Sequence, residues 1–310
     1  MQVEEIYSLY QQYPSVQTDS RKIKAGDIYF ALKGEHFNGN LFATEAIQKG
    51  AVYAIIDEPV EEGESFILVH DVLHSLQELA LYHRKQFSIP FIAITGSNGK
   101  TTTKELLVSV LSTQYKTYAT KGNLNNHIGI PLTILSIPKE AEIAVIEMGA
   151  NHQKEIEAYC QMVLPTHALI TNCGKAHLEG FGGEEGVRKG KGELYDYMRS
   201  SQGVIFINND LPYLKSMASG IQQQISYGST NAEYIGKVLL EDNFLHVAIL
   251  RSGDECLIKT NLIGDYNFAN VMAAFTIGRY FLIATNKIVK AIASYMPDNS
   301  RSQLIKQDSN

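Results

Sequence analysis

The chain has 310 residues, 45% of them hydrophobic and 19% charged, which suits about two globular domains with sizeable cores. Its net charge of −6, from 27 basic and 33 acidic residues, argues against nonspecific binding to nucleic acid or to an anionic membrane. Three scattered cysteines (Cys160, Cys173 and Cys256) make no metal pair or disulfide framework, MQVEEIYSLY lacks a basic-then-apolar leader, and no apolar run reaches the roughly 18 residues that span a bilayer, so a cytoplasmic protein is expected.

The first stretch, 1–87, reads as a small α/β unit. Strands are predicted over 28–32 (IYFAL), 51–56 and 66–69, and helices over 41–49 and 72–87, the latter with Val72, Leu76, Leu79 and Ala80 at helical spacing. Two polar segments, Thr18-Asp19-Ser20-Arg21 and Lys33 to Asn40, flank apolar runs. They read as ordinary turns on spacing alone, and as a recognition surface if they carry a ligand. Ser88-Ile89-Pro90 marks the boundary to a second domain, predicted over 88–300.

That domain opens on FIAITGSNGKTTTKELL. Phe91 to Ile94 form a short apolar run, Gly96-Ser97-Asn98-Gly99 a polar loop, and Leu106, Leu107, Val110 and Leu111 recur at helical spacing. A strand, a glycine loop and a helix in that order aim backbone N–H groups and a helix N-terminus at an anion. Lys100 adds a point charge, Thr102 continues the helix start, and the Thr101 hydroxyl is free to ligate Mg²⁺. The first glycine of the common P-loop is missing, because that position is Ile94; the spacing is the shorter GxxGKTT.

Further on, Lys121 to Asn126 (KGNLNN) is rich in amides, which suit sugar hydroxyls or phosphate oxygens as well as a plain turn. Strands are predicted over 143–148, 168–171 and 204–207, separated by helical stretches such as 154–162, which argues for a mainly parallel sheet covered on both faces. Ligands on such sheets sit beyond the strand C-termini. Glu147 ends one strand and is placed for a metal there; the alternative is a solvated strand-end acid. His177, in TNCGKAHLEGFGG, is a metal or phosphate candidate, with His152 and His127 weaker. Lys189 and Lys191 in RKGKGELY read as a solvated helix start, or as a lysine that takes up CO₂ as a carbamate. The segment 234–262 changes style to an antiparallel meander. Asn267 and Asn270, three apart, share a face at the start of a helix whose apolar side holds Val271, Ala274, Phe275 and Gly278. They suit an adenine edge, or a helix cap for Asn267. The end, from Pro297 to Gln303, is turn-rich.

Taken together these stretches resemble the Mur ligase family. The resemblance rests on TDSR, ITGSNGKTTTKE, TKGNLNNHIGIPLTIL, IEMGANHQKEI, TNCGKAHLEGFGG, KGKGELY, GDYNFANVMAA and NSRSQ, in the family's order. It implies an ADP-forming amide-bond ligase with ATP and Mg²⁺, and is closest to the members that add D-alanyl-D-alanine (D-Ala-D-Ala) to UDP-N-acetylmuramoyl-tripeptide (UDP-MurNAc-tripeptide) in peptidoglycan precursor synthesis. A cytoplasmic monomer is implied. By motif, Gly96 to Thr102 would cradle ATP, with Lys100 on the β/γ-phosphates. Thr101 and Glu147 would hold one Mg²⁺, and His177 with a carbamylated Lys191 a second. Lys191 rather than Lys189 is implied because it directly precedes Gly192-Glu193-Leu194. Asn267 and Asn270 would face adenine, Arg301 the phosphates, and Ser20, Arg21, Asn123 and Asn126 the UDP-sugar. Asn38 and Asn40 stand where Asp and His are the family's residues. The residues 301–310 read as the start of a linker to a third domain that the chain is expected to lack, which implies weak nucleotide binding and no turnover. Two other readings share the phosphate loop. The GxxGKTT spacing and the absence of a guanine-reading NKxD set speak against a P-loop kinase or GTPase. Intact Lys100, Thr101 and Glu147 speak against a non-catalytic sugar-nucleotide binding module.

Overall fold

Short β-branched runs alternate with helices along most of the chain, and in the computed structural model, which describes residues 2–60, 63–175, 178–241, 244–250 and 255–297, they form an α/β fold. In chain order the first elements are α1 (Val3–Gln12), β1 (Val16–Gln17), β2 (Ile28–Phe30), β3 (Lys33–Gly34), β4 (Phe37–Asn38), α2 (Ala43–Gln48), β5 (Tyr53–Ile56), β6 (Phe66–Leu68) and α3 (Val72–Arg84). Then come β7 (Phe91–Thr95), α4 (Lys100–Leu111), β8 (Thr117–Ala119), α5 (Gly129–Leu135), β9 (Ile143–Glu147), α6 (Glu155–Val163) and β10 (His167–Ile170). The rest are α7 (Leu178–Phe181), α8 (Glu184–Ser201), β11 (Val204–Asn208), α9 (Pro212–Met217), β12 (Gln223–Gly228), β13 (Tyr234–Glu241), β14 (Phe244–Ile249), β15 (Cys256–Ile263), α10 (Phe268–Tyr280) and α11 (Thr285–Ser294).

Two units emerge, and they do not follow one cut in the chain. The first takes the residues up to Ser88 together with Thr120–Lys139 and Gln161–Leu164. Its sheet runs β1-β2-β5-β6, all parallel, over a core that includes Tyr29, Ala46, Ala54 and Ile56. The predicted helix over 41–49 is split: a 3₁₀ turn, Gly39–Phe42, precedes α2. Local side chains cause this. Asn38 accepts the Asn40 N–H at 3.0 Å, and the Asn40 amide donates to Asp57 at 2.7 Å, which holds the tighter turn. The amide-rich segment at 121–126 leads into α5, where Asn126 accepts the N–H groups of Ile128 and Gly129.

The second unit takes Ile89–Ala119, Glu140–Cys160 and the chain from Pro165 onward. Its nine-stranded sheet has the order β15-β14-β13-β12-β11-β10-β7-β9-β8. The strands from β8 to β13 are parallel, and β13-β14-β15 form the predicted antiparallel meander. Leu106, Leu107, Val110 and Leu111 of α4 pack with Val271, Met272 and Phe275 of α10 over Ile92, Ile94 and Val145 of the sheet. The single apolar side expected for the last segment is a correction: α10 is buried from Asn270 through Gly278, because α4, α11 and the sheet enclose it. The chain order β7, β9, then β10 on the far side of β7 makes β7 the point where the winding reverses, and such points are where open parallel sheets hold ligands. Among the described residues no helix is long and apolar enough to cross a membrane.

Candidate active site

The site is built at the C-terminal edge of β7, β9 and β10 in the second unit. Gly99 (φ +80°) caps α4 in the left-handed region that glycine adopts without strain, and a Cβ there would lie 2.7 Å from Asn270 Oδ1. Gly96 (φ +147°) is tied more tightly still, since a Cβ on it would collide with Thr171 Oγ1. The loop after β10 holds the glycine loop in place. Ser97 N–H donates to Asn172 O at 2.9 Å, Asn98 N–H to Asn172 Oδ1 at 3.1 Å, Ser97 Oγ to Gly174 O at 3.0 Å and Thr171 Oγ1 to Asn98 O at 2.6 Å. Behind it, Thr95 Oγ1 donates to Met148 O at 2.8 Å. Two segments read separately in the sequence therefore act as one rigid cradle. The Lys100 ammonium lies across the loop, donating to Gly96 O at 2.7 Å and Ser97 O at 3.2 Å.

Glu147 is not a solvated strand-end acid. It is 1% exposed, and its Oε1 accepts from Thr101 Oγ1 at 3.2 Å. Its Oε2 faces Lys104 Nζ at 3.6 Å, and Lys104 is itself 4% exposed. Lys104, four residues after Lys100 on the same helix, has no local sequence mark that separates it from a solvated lysine. A hydroxyl and a buried carboxylate beside a phosphate cradle fit Mg²⁺, which takes one or two protein oxygens and leaves its other positions to water and phosphate.

Lys191 and Lys189 part company in the structure. Lys189 is exposed, whereas Lys191 sits in the middle of α8, 1% exposed, with Nζ 5.1 Å from the centre of the Phe181 ring. The solvated-start reading is corrected for Lys191. Burial, then the nearby positive charge of Lys100, pull its pKa from 10.5 down to about 8. The neutral amine is thereby made accessible. Next to it on α8, Glu193 is also buried and accepts the N–H groups of Lys154 (2.6 Å) and Glu157 (3.0 Å), capping α6. Burial pushes the Cys173 thiol up to about 11, so it is inert near neutrality.

Asn267 and Asn270 meet the cradle from α10. Asn270 Oδ1 accepts from Thr103 Oγ1 at 3.0 Å, Asn270 Nδ2 donates to Asn267 Oδ1 at 2.9 Å, and Asn267 Nδ2 donates to Ile263 O at 2.9 Å. His152 is exposed and faces Glu155 at 3.5 Å, at the start of α6. His177 and Arg301 lie outside the described residues.

The remaining candidates belong to the first unit. Arg21 is exposed and paired with Asp19 through two hydrogen bonds of 2.8 and 2.9 Å, which hold the Asp19 carboxyl well below the usual range. Ser20 is buried, with Lys49 Nζ donating to its carbonyl at 3.2 Å. Asn123 is exposed. A cavity of about 390 Å³ within this unit is lined by Thr18, Asp19 and Lys22 on one side and Leu124, Leu132 and Ser136 on another. It brings Thr18, Asp19 and Lys22 together with Leu124, while Ser20, Arg21, Asn123 and Asn126 are not among its lining residues.

Residues 94–278 match the Mur ligase middle domain, and 12–84 match the domain described as Mur ligase family, catalytic domain. The chain is 36% identical over 297 residues to the UDP-N-acetylmuramoyl-tripeptide–D-alanyl-D-alanine ligase of Bacillus subtilis, covering 95% of this chain and 64% of that protein. The fold superposes on the crystal structure of MurF from Acinetobacter baumannii with a TM-score of 0.86 at 31% identity, covering 97% of this chain and 70% of that one. It also superposes on MurF ligase from Thermotoga maritima in complex with ADP, with a TM-score of 0.82 at 27% identity, covering 91% and 66%.

Proposed function

This chain belongs to the Mur ligase family, and from that premise we propose that it serves an ATP-dependent, ADP-forming ligase that adds D-Ala-D-Ala to UDP-MurNAc-tripeptide in the cytoplasm, as a monomer. The observation that carries the reading is the convergence of a GxxGKTT cradle, the Thr101 hydroxyl on the buried Glu147 carboxylate, and the buried Lys191 close to Lys100. That set suits activation of a carboxylate by phosphoryl transfer, where positioning and charge neutralisation matter more than covalent help.

In this reading Gly96 to Thr102 present backbone N–H groups to the ATP phosphates, and Lys100 leaves the loop carbonyls to hold the β/γ-phosphates. Thr101 and Glu147 hold Mg²⁺, which neutralises phosphate charge when bound. A substrate carboxylate oxygen bonds to the γ-phosphorus, the bond to the bridging oxygen breaks, and ADP leaves. The D-Ala-D-Ala amine then attacks the acyl phosphate, loses a proton and expels phosphate. On the family pattern Lys191, as a carbamate formed with CO₂, would supply oxygens for a second cation, with His177 as a further ligand. On the same pattern Arg301 would serve the phosphates. Asn267 and Asn270 contribute to adenine recognition on the family pattern, while their observed bonds brace α4 against α10. In the first unit Ser20, Arg21, Asn123 and Asn126 serve a UDP-sugar on the family pattern, and the cavity lined by their neighbours Asp19, Lys22 and Leu124 supports that placement.

The matched relative is longer than this chain, so turnover is best measured on a chain extended past Asn310 to the relative's length. Phosphate release from ATP is expected only when UDP-MurNAc-tripeptide and D-Ala-D-Ala are both present. Release that ignores both, or a preference for GTP, would overturn the ligase reading.

A further inference from the structure

Lys104 has no part in the mechanism above, yet it is 4% exposed on the helix that carries the phosphate loop, and its ammonium faces Glu147 Oε2 at 3.6 Å. Burying an ammonium is costly unless a carboxylate is held against it, so this placement needs a reason. Glu147 is shared: one oxygen meets the Thr101 hydroxyl, the other meets Lys104. The pair sums to zero charge before any ligand arrives.

We propose that Lys104 is a resident counter-ion that keeps the Glu147 site from taking a divalent cation on its own, so that the metal enters only with nucleotide phosphates. The inference rests on the assignment of Glu147 and Thr101 as metal-holding residues. With Lys104 in place, a lone divalent ion adds two positive charges to a neutral buried pair, which low local polarity makes unfavourable. Phosphates bring the missing negative charge. Without Lys104, the buried carboxylate loses that ammonium and the metal can take its place.

The test is nucleotide-free Mn²⁺ binding followed by electron paramagnetic resonance, with melting temperature read in parallel, on the whole chain. In Lys104→Met, Mn²⁺ affinity without nucleotide should rise about tenfold or more over wild type. Its metal-free melting temperature should fall by about 6 °C or more, and millimolar MgCl₂ should recover much of that loss. Lys104→Arg keeps the charge and should behave as wild type. If the methionine variant does not fold, Lys104→Gln, whose amide still donates to Glu147, takes its place with the same expected gain in Mn²⁺ affinity. Unchanged Mn²⁺ affinity in the neutral variants, or the same gain in Lys104→Arg, would overturn the proposal. Glu147→Gln separates the two levels. If it abolishes the metal requirement of ATP binding while the neutral Lys104 variants bind Mn²⁺ as wild type does, the metal site stands and the counter-ion role falls. If the metal requirement persists, the site assignment falls and this proposal with it.

Discussion

Replacing Lys100 with methionine is expected to weaken MgATP binding by about a hundredfold and, in a chain extended to its relative's length, to lower the proposed ligation by about a thousandfold, while the melting temperature stays near that of wild type. The ammonium now donates to the carbonyls of Gly96 and Ser97, over a loop pinned by Thr171, Asn172 and Gly174. Lys100 and Ser97 are half-buried, so water can reach the Ser97 carbonyl when the ammonium is gone and the fold loses little. An incoming triphosphate loses a charge-assisted hydrogen bond that strengthens as charge shifts during phosphoryl transfer, so the loss falls mainly on turnover. Isothermal titration with MgATP and a phosphate-release assay read the two effects separately. Equal ATP affinity and turnover in the variant would remove the loop from the chemistry.

Lys191→Met should do two opposite things: stabilise the protein at neutral pH and, in the extended chain, remove the proposed ligase turnover. The fall of the Lys191 pKa from 10.5 to about 8 corresponds to a burial cost of about 3 kcal/mol. Below pH 8 the lysine is charged in both folded and unfolded chains, so the full cost is present. Between pH 8 and 10.5 the unfolded chain holds a proton that the folded chain has released, so wild-type stability rises with pH through that window. Above 10.5 the cost is gone. The methionine variant should therefore be more stable below pH 8, by up to about 3 kcal/mol in CO₂-free buffer, and the two should converge as pH rises. Denaturant melts across that range check it. Such a residue, costly to the fold and kept at the sheet edge, is what a functional site shows when it trades stability for reactivity. A ¹³CO₂ nuclear magnetic resonance signal present in wild type and absent in Lys191→Met would identify the carbamate.

Much of the site could be read from local chemistry. Gly96, Gly99, Lys100 and Thr101 announce a phosphate loop because each residue type has a narrow conformational or charge role at that spacing. Glu147 follows from its place at the end of an apolar run, and the meander from its turn residues. What escaped was set by tertiary burial. Lys104 carries no local mark that separates it from a solvated lysine, and only β9 beneath it makes it part of the site. Glu193 reads as a surface acid until the Lys154 and Glu157 amides are seen against it. The helix α5, GIPLTIL, begins with glycine and carries proline, so its sequence argues for a turn; the Asn126 side chain starts it and packing on α3 completes it. The strand β12, QQISYG, is too polar to show a period, and its pairing with β11 places it.

In the proposed reaction ATP activates a substrate carboxylate before the amine attacks. Supplying UDP-MurNAc-tripeptide labelled with ¹⁸O in its terminal carboxylate, with unlabelled ATP and D-Ala-D-Ala, tests it on the chain extended to its relative's length. Mass spectrometry of the released phosphate should show one ¹⁸O carried over from the carboxylate. Ligation product accompanied by unlabelled phosphate would contradict it.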